Sequence, residues 1–249
     1  MFIAFIASLC FCNAQTSDWT RVEQVFGKKG SVQDDVFKIT FPRFDLKVKI
    51  GEFSVEPGLA LTSWIGFIRA GNNMMAMDDN SMMMGDLVVL DNEVAPVISK
   101  SVISVTGTPF SVPQAQNQTV QPDWSKVEAI LGTNGKHNGN LLQYGFPRLE
   151  KLTESGMDMP PYMGMATVIN FQMDAANRAA ITGDFVLLAD EVNPVVKALT
   201  ENGIAVTALH NHMLYDNPRL FMLHFWAVDA PEKLAKGLKA ALDKTNSKR

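Results

Sequence analysis

Residues 179–228 read AAITGDFVLLADEVNPVVKALTENGIAVTALHNHMLYDNPRLFMLHFWAV, and this stretch decides the fold. Its apolar and β-branched opening, which runs to Leu188, predicts a strand bounded by polar turns. A helix is expected to follow, opening at Asp190 or Asn193, with Pro194 in its first turn. The remaining predictions are Gly203 as the helix stop and two strands, Ile204–Leu214 and Leu220–Val228, joined by a turn at Asp216–Arg219.

The flanking sequence completes an α+β module. After a start at 229–231, Leu234, Leu238 and Leu242 are spaced four residues apart, which predicts a helix with one apolar face. Upstream, a helix is predicted from Asp123, followed by strands at 141–146 and 167–171. Because the order from residue 179 is β-α-β-β-α, we predict a split-βαβ unit of the ferredoxin-like kind.

An earlier and shorter copy of the same module precedes it. Asp18-Trp19 recurs as Asp123-Trp124, and Phe41-Pro42-Arg43 recurs as Phe146-Pro147-Arg148, both at an offset of 105 residues. Met84–Leu90 resembles Thr182–Leu188 at an offset of 98 residues. The first copy then breaks off, so we predict two related split-βαβ modules of which the first is truncated. The predicted divisions are a signal peptide at 1–14, a first module at 15–105, a linker at 106–122 and a second module at 123–245.

The amino terminus indicates export. Residues 1–14 carry no charge, and small residues precede a cleavage site predicted after Ala14, although the positive charge usual at a signal start is missing. The alternative is a buried N-terminal strand. Cys10 and Cys12 both lie in this segment, so the mature chain would contain no cysteine. We expect a secreted or periplasmic protein, with lipoprotein anchoring as the less favoured variant.

Composition limits the partners of the protein. The 249 residues carry a formal net charge of −4 and contain no extended run of lysine or arginine, so nucleic acid is not an expected partner. No stretch reaches the roughly 20 apolar residues that a transmembrane helix needs. A small molecule or a metal ion is the expected partner, and no oligomeric state follows from the sequence.

Three of the four histidines lie in the predicted hairpin, at His210, His212 and His224. Alternate residues of a strand share one face, which places His210 and His212 together. With a three-residue loop, His212 would lie opposite His224 and all three imidazoles would share a face. With a two-residue loop, Asn211 would lie opposite His224 and the cluster would be dispersed. A shared face predicts a site for a divalent transition metal such as zinc; otherwise the histidines are structural.

Other residues are secondary candidates. Asp184, Glu191 and Glu201 are the acids nearest to the histidines in element order. His137 is interpreted as a fourth ligand or as a solvated loop residue, and Arg148 as a clamp for a carboxylate ligand or as half of a structural salt bridge. Thioethers bind Cu(I), but methionines also fill cores, so the run in the first copy supports either reading. That run comprises Met74, Met75, Met77, Met82, Met83 and Met84, with Asp78 and Asp79.

The second copy resembles the family named after the mycobacterial lipoproteins LppY and LpqO. The resemblance rests on Gly183–Leu187, Asp190–Val195, Ala208–Met213 and His224–Ala227, and covers residues 123–245 well and 18–104 more loosely. It implies an exported, duplicated protein and supplies no mechanism. The leading hypothesis is an exported cell-envelope protein that binds a small ligand or metal through its histidines. The alternatives are a metal-dependent hydrolase that uses the same histidines, and an envelope interaction protein whose histidines are structural.

Overall fold

A computed structural model describes residues 19–70, 73–80, 83–84, 88–90 and 122–249. The predicted signal peptide, Cys10 and Cys12, the end of the first copy and nearly all of the predicted linker lie outside these residues. The described part combines helices with antiparallel sheets, which confirms the α+β class.

The elements of the first copy alternate short helices with strands. They are α1 (Thr20–Phe26), β1 (Ser31–Gln33), β2 (Val36–Pro42), β3 (Val48–Ile50), β4 (Phe53–Val55), α2 (Pro57–Ala60), β5 (Thr62–Ala70), β6 (Asn73–Asn80), β7 (Met83–Met84) and β8 (Val88–Leu90). Strands β1, β2, β5, β6 and β7 form one sheet in that order, and β8 also pairs with β6.

The second copy has longer elements and three helices. They are α3 (Ser125–Leu131), β9 (Lys136–Asn138), β10 (Leu141–Pro147), β11 (Thr153–Glu154), β12 (Met157–Asp158), a 3₁₀ turn (Pro161–Met163), β13 (Ala166–Met173), β14 (Ala179–Leu187), α4 (Ala189–Glu201), β15 (Ala205–His210), β16 (Asp216–Asn217), β17 (Phe221–Asp229) and α5 (Pro231–Leu242). Its main sheet has the order β15-β17-β14-β13-β10-β9, and every neighbouring pair in it is antiparallel.

Strand β17 lies between β14 and β15 in this sheet. Because β17 is antiparallel to both, β14 and β15 run parallel to each other, and α4 connects them. This arrangement is the split-βαβ unit expected from the sequence. Helices α3, α4 and α5 cover one face of the sheet, where they bury a continuous cluster that includes Leu234, Leu238 and Leu242.

The short loop predicted for the hairpin is wrong. Strand β15 ends at His210, not at Leu214, and the connection to β17 is ten residues long, 211–220. Within it, Asp216–Asn217 does not form the predicted turn but is paired with β11 in a separate small sheet. A long-range pairing with residues 153–154 therefore replaces the local turn, and local turn signals could not reveal it.

Helix α4 begins one residue earlier than the first of the two predicted starts. The Glu191 side chain accepts a hydrogen bond from the Leu188 backbone N–H at 2.8 Å, so the acid at the third helical position caps the helix. Pro194 consequently lies inside the helix, one turn later than expected. Gly203 follows the helix with φ of +73°, a left-handed conformation that favours glycine and ends the helix.

The two copies exchange segments and complete each other's core. Residues between β2 and β5 of the first copy lie on the second sheet, on the face opposite its helices, where Phe53 and Leu59 pack against Leu141 and Ala180. Amide side chains of the second sheet donate hydrogen bonds to backbone carbonyl oxygens of that segment: Gln143 to Gly58 at 3.1 Å, Asn170 to Leu59 at 3.1 Å and Gln172 to Ser54 at 2.8 Å.

The equivalent segment of the second copy packs on the first sheet. Met159, Met163 and Met165 share a buried cluster with Met75 and Met77 of β6. This approach is close, because a Cβ atom on Gly66 of β5 would lie only 2.8 Å from the Met163 sulfur. Contacts in these two buried clusters therefore hold the two sheets together.

Candidate functional site

Strand β17 positions His224 on the sheet face opposite the helices. Odd-numbered neighbours Leu223 and Phe225 point into the helix-covered cluster, so His224 points to the other side. On one side its Cα partner is Asp184 of β14, and on the other it is Ala208 of β15. On the same face of β17, Trp226 stands two residues along, and the Phe53 ring of the first copy packs edge-on against its indole.

A β-bulge brings His210 to the face of His224. Before the bulge Val206 pairs with Phe225, and after it Ala208 pairs with His224, so Thr207 is the extra residue. Without that residue, positions 208 and 210 would point to the helix-covered face. Because of it, His210 pairs with Met222 and lies diagonally across from His224. Neither predicted register is observed, since the partner of His224 is neither His212 nor Asn211.

His212 reaches the same cluster from the loop after β15. Its ring stacks on that of His210, with centroids 5.1 Å apart and planes 13° apart, and lies 6.4 Å from that of His224. The rings of His210 and His224 are also stacked, with centroids 4.9 Å apart and their two Nε2 atoms at 2.8 Å. All three imidazoles thus converge, and one Nε2 of the close pair donates its proton to the other.

Burial keeps His212 neutral. Its side chain is 7% exposed, and desolvation, together with the neighbouring imidazoles of His210 and His224, lowers the pKa of His212 to about 3. The Oδ2 atom of Asp184 lies 3.6 Å from Nε2 of His212, beyond hydrogen-bond distance. Among the described residues, that buried Nε2 has no hydrogen-bond partner. A neutral imidazole has one unprotonated nitrogen, and in the tautomer that leaves Nε2 unprotonated this atom could bind a metal ion.

The loop that carries His212 is fixed from behind. Arg219 donates hydrogen bonds to the backbone carbonyl oxygen of Met213 at 3.0 Å and to Asp216 Oδ1 at 2.7 Å. The other oxygen of Asp216 accepts the backbone N–H of Leu220 at 2.7 Å. Asn211, a secondary candidate from the sequence, points its amide at the Leu220 carbonyl oxygen, 2.5 Å away, so its observed role is to hold this loop.

The cluster has the dimensions of a metal site. One ligand nitrogen from each of His210, His212 and His224 lies within 4.8 Å of the others, and all three residues are half-buried. Two imidazoles on one tetrahedral zinc ion, with Zn–N bonds of about 2.0–2.1 Å, have nitrogens about 3.3 Å apart. The observed range of 2.8 to 4.8 Å brackets that value, so small side-chain rotations suffice to close the site. Three imidazole nitrogens on one side of an ion leave further positions for a carboxylate, water or a ligand.

Glu191 and Arg148 belong to a separate network. The Arg148 side chain is fully buried and binds both oxygens of Glu191, at 2.6 and 2.9 Å, and both oxygens of Glu150, each at 2.8 Å. It also donates to the Val186 carbonyl oxygen at 2.8 Å. Of the two interpretations of Arg148, the structure shows the structural salt bridge. Glu201 also lies elsewhere, on an exposed turn of α4 with Lys197 at 3.8 Å.

The Glu150 carboxylate makes stability depend on pH. Burial by itself would raise the pKa of Glu150, but hydrogen bonds from Arg148 and Asn246 outweigh burial and lower it from 4.5 to about 2. A carboxyl group whose pKa is lower in the folded state stabilises the fold above pH 4.5, and that stabilisation is lost between pH 4.5 and 2.

Glu150→Gln should therefore lower the free energy of unfolding at pH 7 by about 1–2 kcal/mol and by much less at pH 2. Urea unfolding of both proteins across this pH range measures the difference, and equal losses at both ends would contradict it.

His137 does not join the cluster. It lies on β9, at the edge of the sheet opposite β15, and its Nε2 is 2.8 Å from Glu128 Oε1. The ring is 38% exposed. The structure therefore places this histidine in a surface contact with Glu128, away from the other three. In the methionine run, Met75 and Met77 are buried core residues, and the side chains of the other four lie outside the described part.

A separate groove of about 1440 Å³ opens between the copies. Residues of both copies line it, among them Trp19, Arg69, Lys151 and Asp158, but no histidine does. The Lys151 and Asp158 side chains there form an exposed ion pair at 2.8 Å. We place the candidate site at the histidines, because three converging imidazole nitrogens are a donor set that suits a transition metal.

Sequence reasoning missed the supports of the site. The bulge at 206–208 arises from the register of β15 on β17, and the loop anchor Asp216 is placed by pairing with β11, more than 60 residues earlier. The position of Met222 beside the site could have been predicted, because this residue precedes His224 by two on one strand and therefore shares its face. The direction of the His212 side chain could not have been predicted, because this residue lies after the end of β15.

Comparison with known proteins finds one family. A family model described as Domain of Unknown Function (DUF1259) matches residues 20–105 and again residues 125–244. The double match supports the internal repeat, while the more specific likeness to LppY and LpqO stays a prediction. Neither the curated proteins nor the solved structures contain a significant match. In the described residues, no helix is both long and apolar enough to span a membrane.

Proposed function

The chain belongs to the family described as Domain of Unknown Function (DUF1259), and on this premise we propose that it is an exported cell-envelope protein that binds a divalent transition metal through His210, His212 and His224. Zinc is the leading candidate, because imidazole nitrogen is one of its preferred ligands and three such ligands with an open position are typical of its sites. The observation that carries the proposal is the convergence of three imidazole nitrogens within 4.8 Å.

Asp184 supports the proposal as a candidate fourth ligand. It is the cross-strand partner of His224, its Oδ2 lies 3.6 Å from His212 Nε2, and its side chain is 18% exposed. A rotation of this carboxylate toward the imidazoles would complete a shell of three nitrogens and one oxygen. Asp184→Asn is expected to weaken zinc without removing it, because the three histidines remain.

The test uses protein produced without a polyhistidine tag. After dialysis against zinc and then against metal-free buffer, wild type should retain one zinc per chain, and His224→Ala should retain none. The matched control is His137→Ala, which removes an exposed histidine at the far edge of the sheet and should retain one. Wild type without stoichiometric metal, or His224→Ala with the same content as wild type, would reject the proposal.

A metal-dependent hydrolase is the second candidate, supported by the half-buried position of the cluster. A zinc ion held by three neutral histidines lowers the pKa of a bound water to about 7 and so supplies a nucleophile at neutral pH. Loss of an ester-hydrolysis activity in both His224→Ala and Asp184→Asn, but not in His137→Ala, would favour it. A binding protein would show zinc retention without turnover. If the histidines only pack, as in an envelope interaction protein, neither property appears.

Export is proposed from the sequence of residues 1–14. If the signal is functional, the mature protein starts at Gln15 and has no cysteine, so metal binding would rest on imidazole, carboxylate and thioether groups. Amino-terminal sequencing of protein from the envelope fraction of the native host tests this, and Met1 at the amino terminus of intracellular protein would contradict it.

A further inference from the structure

A methionine stands directly beside the histidine cluster. Met222 is the Cα partner of His210 across the β15–β17 pair, and it precedes His224 by two residues on β17. Its side chain therefore points to the same face as both imidazoles and is the neighbour that they share. Met222 is fully buried and belongs to the same buried cluster as Val186 of β14.

The buried cluster that contains Met222 is rich in methionine. Of the eleven buried residues in the cluster that contains Met222, seven are methionine. The helix-covered cluster on the other face of the same sheet has twenty-four described buried residues, and none of them is methionine. Because leucine and isoleucine fill that second core, the fold itself does not demand thioethers. Met222 is the member of this methionine-rich cluster that lies on β17, on the sheet face of His224.

A second buried methionine lies in the loop, next to His212 in the chain. Met213 follows His212 directly, is 6% exposed and belongs to the same buried cluster as Met222. Arg219 holds the Met213 backbone by a hydrogen bond to its carbonyl oxygen at 3.0 Å. Two of the three histidines are therefore bordered by buried methionines, through strand pairing at His210 and through the chain at His212.

We propose that the same three imidazoles, with the thioether of Met222 as the fourth ligand, bind Cu(I). The inference rests on the proposed function, because it needs the histidines to act as ligands. Thioether sulfur is a soft ligand that selects Cu(I) over the harder divalent ions, whereas imidazole suits both. The site then offers two alternative completions: the Asp184 carboxylate from β14 for zinc, and the sulfur of Met222, two residues before His224 on β17, for Cu(I).

The test is a pair of affinity measurements on full-length protein. Cu(I) affinity is measured without oxygen by competition with bicinchoninate, and zinc affinity by competition with a chromophoric chelator. The variant is Met222→Leu, a near volume-conserving change that cores tolerate. Loss of an outer-shell partner already costs about 10- to 100-fold in metal affinity, so loss of a direct ligand should weaken Cu(I) at least about tenfold. Zinc affinity should change less than about threefold, because zinc does not use this sulfur.

The matched control is Met163→Leu, which removes a fully buried thioether of the same cluster at the 3₁₀ turn against Gly66. It should leave both affinities at wild-type values. As a measurement independent of the variant, X-ray absorption of the Cu(I)-loaded wild type should contain a copper–sulfur shell. Zinc binding together with equal Cu(I) affinity in wild type and Met222→Leu would overturn the copper inference and leave the proposed function intact. Absence of both metals from wild type would overturn both.

Discussion

Replacing Arg148 with methionine is expected to destabilise the protein by about 3–5 kcal/mol, since the change leaves a nearly buried carboxylate without its counter-ion. The Arg148 side chain is fully buried and makes bidentate contacts with both Glu191, which is 11% exposed, and Glu150. Glu191 also accepts the backbone N–H groups of Leu188 and Asn246, both at 2.8 Å, so it joins the start of α4 to the residues after α5. Urea unfolding at pH 7 measures the loss.

The repeat supplies a matched control for this change. Arg43 occupies the same place in Phe41-Pro42-Arg43, but its described ion pair is with Asp45, a carboxylate that is 57% exposed. An exposed pair is worth about 0–1 kcal/mol, so Arg43→Met should change stability by no more than that. Equal effects of the two substitutions would show that the network around Arg148 is not the determining feature.

Zinc is expected to stabilise the wild type and to leave His210→Ala unchanged. A ligand that binds only the folded state raises the free energy of unfolding by about 2.7 kcal/mol when its free concentration is one hundred times Kd. His210 contributes one of three converging nitrogens, and its ring stacks on both other imidazoles. Removing it leaves two ligands and should reduce zinc affinity by at least about 100-fold.

Thermal or chemical unfolding with and without zinc measures this linkage. His137→Ala should be stabilised by zinc as much as wild type, because this histidine pairs with Glu128 at the opposite edge of the sheet. The same stabilisation of His210→Ala would place zinc elsewhere on the molecule. No stabilisation of wild type at saturating zinc would contradict binding to the folded state.

The periodic spacing of apolar residues predicted the main helices and strands of the second copy. The leucines at 234, 238 and 242 predicted the buried face of α5, and the apolar run at 179–188 predicted the central strand β14. Local sequence could not predict the ten-residue loop, because Asp216–Asn217 pairs with β11, more than 60 residues earlier. It also could not place Pro194, because the start of α4 is set by the Glu191 side chain at the Leu188 N–H.

The histidine site was predicted in composition but not in register. The sequence analysis allowed His210 and His224 to share one face of the sheet, and they do. The loop lengths of two or three residues from which the register was argued are wrong, because the connection has ten residues. Extra residue Thr207 at the bulge sets the face of His210, and the anchored loop turns His212 back onto it. Asp184 was named as a candidate acid by element order, and the structure gives the reason for its proximity, direct pairing of its strand position with His224.

The most direct test of the central claim is X-ray absorption at the zinc edge of tag-free protein loaded with one equivalent of zinc. Three imidazoles around one ion produce strong outer-shell scattering in addition to Zn–N distances of about 2.0–2.1 Å. We expect a fit with three imidazoles in wild type and with fewer than three in His224→Ala loaded in the same way. A wild-type spectrum with oxygen ligands and at most one imidazole would contradict it.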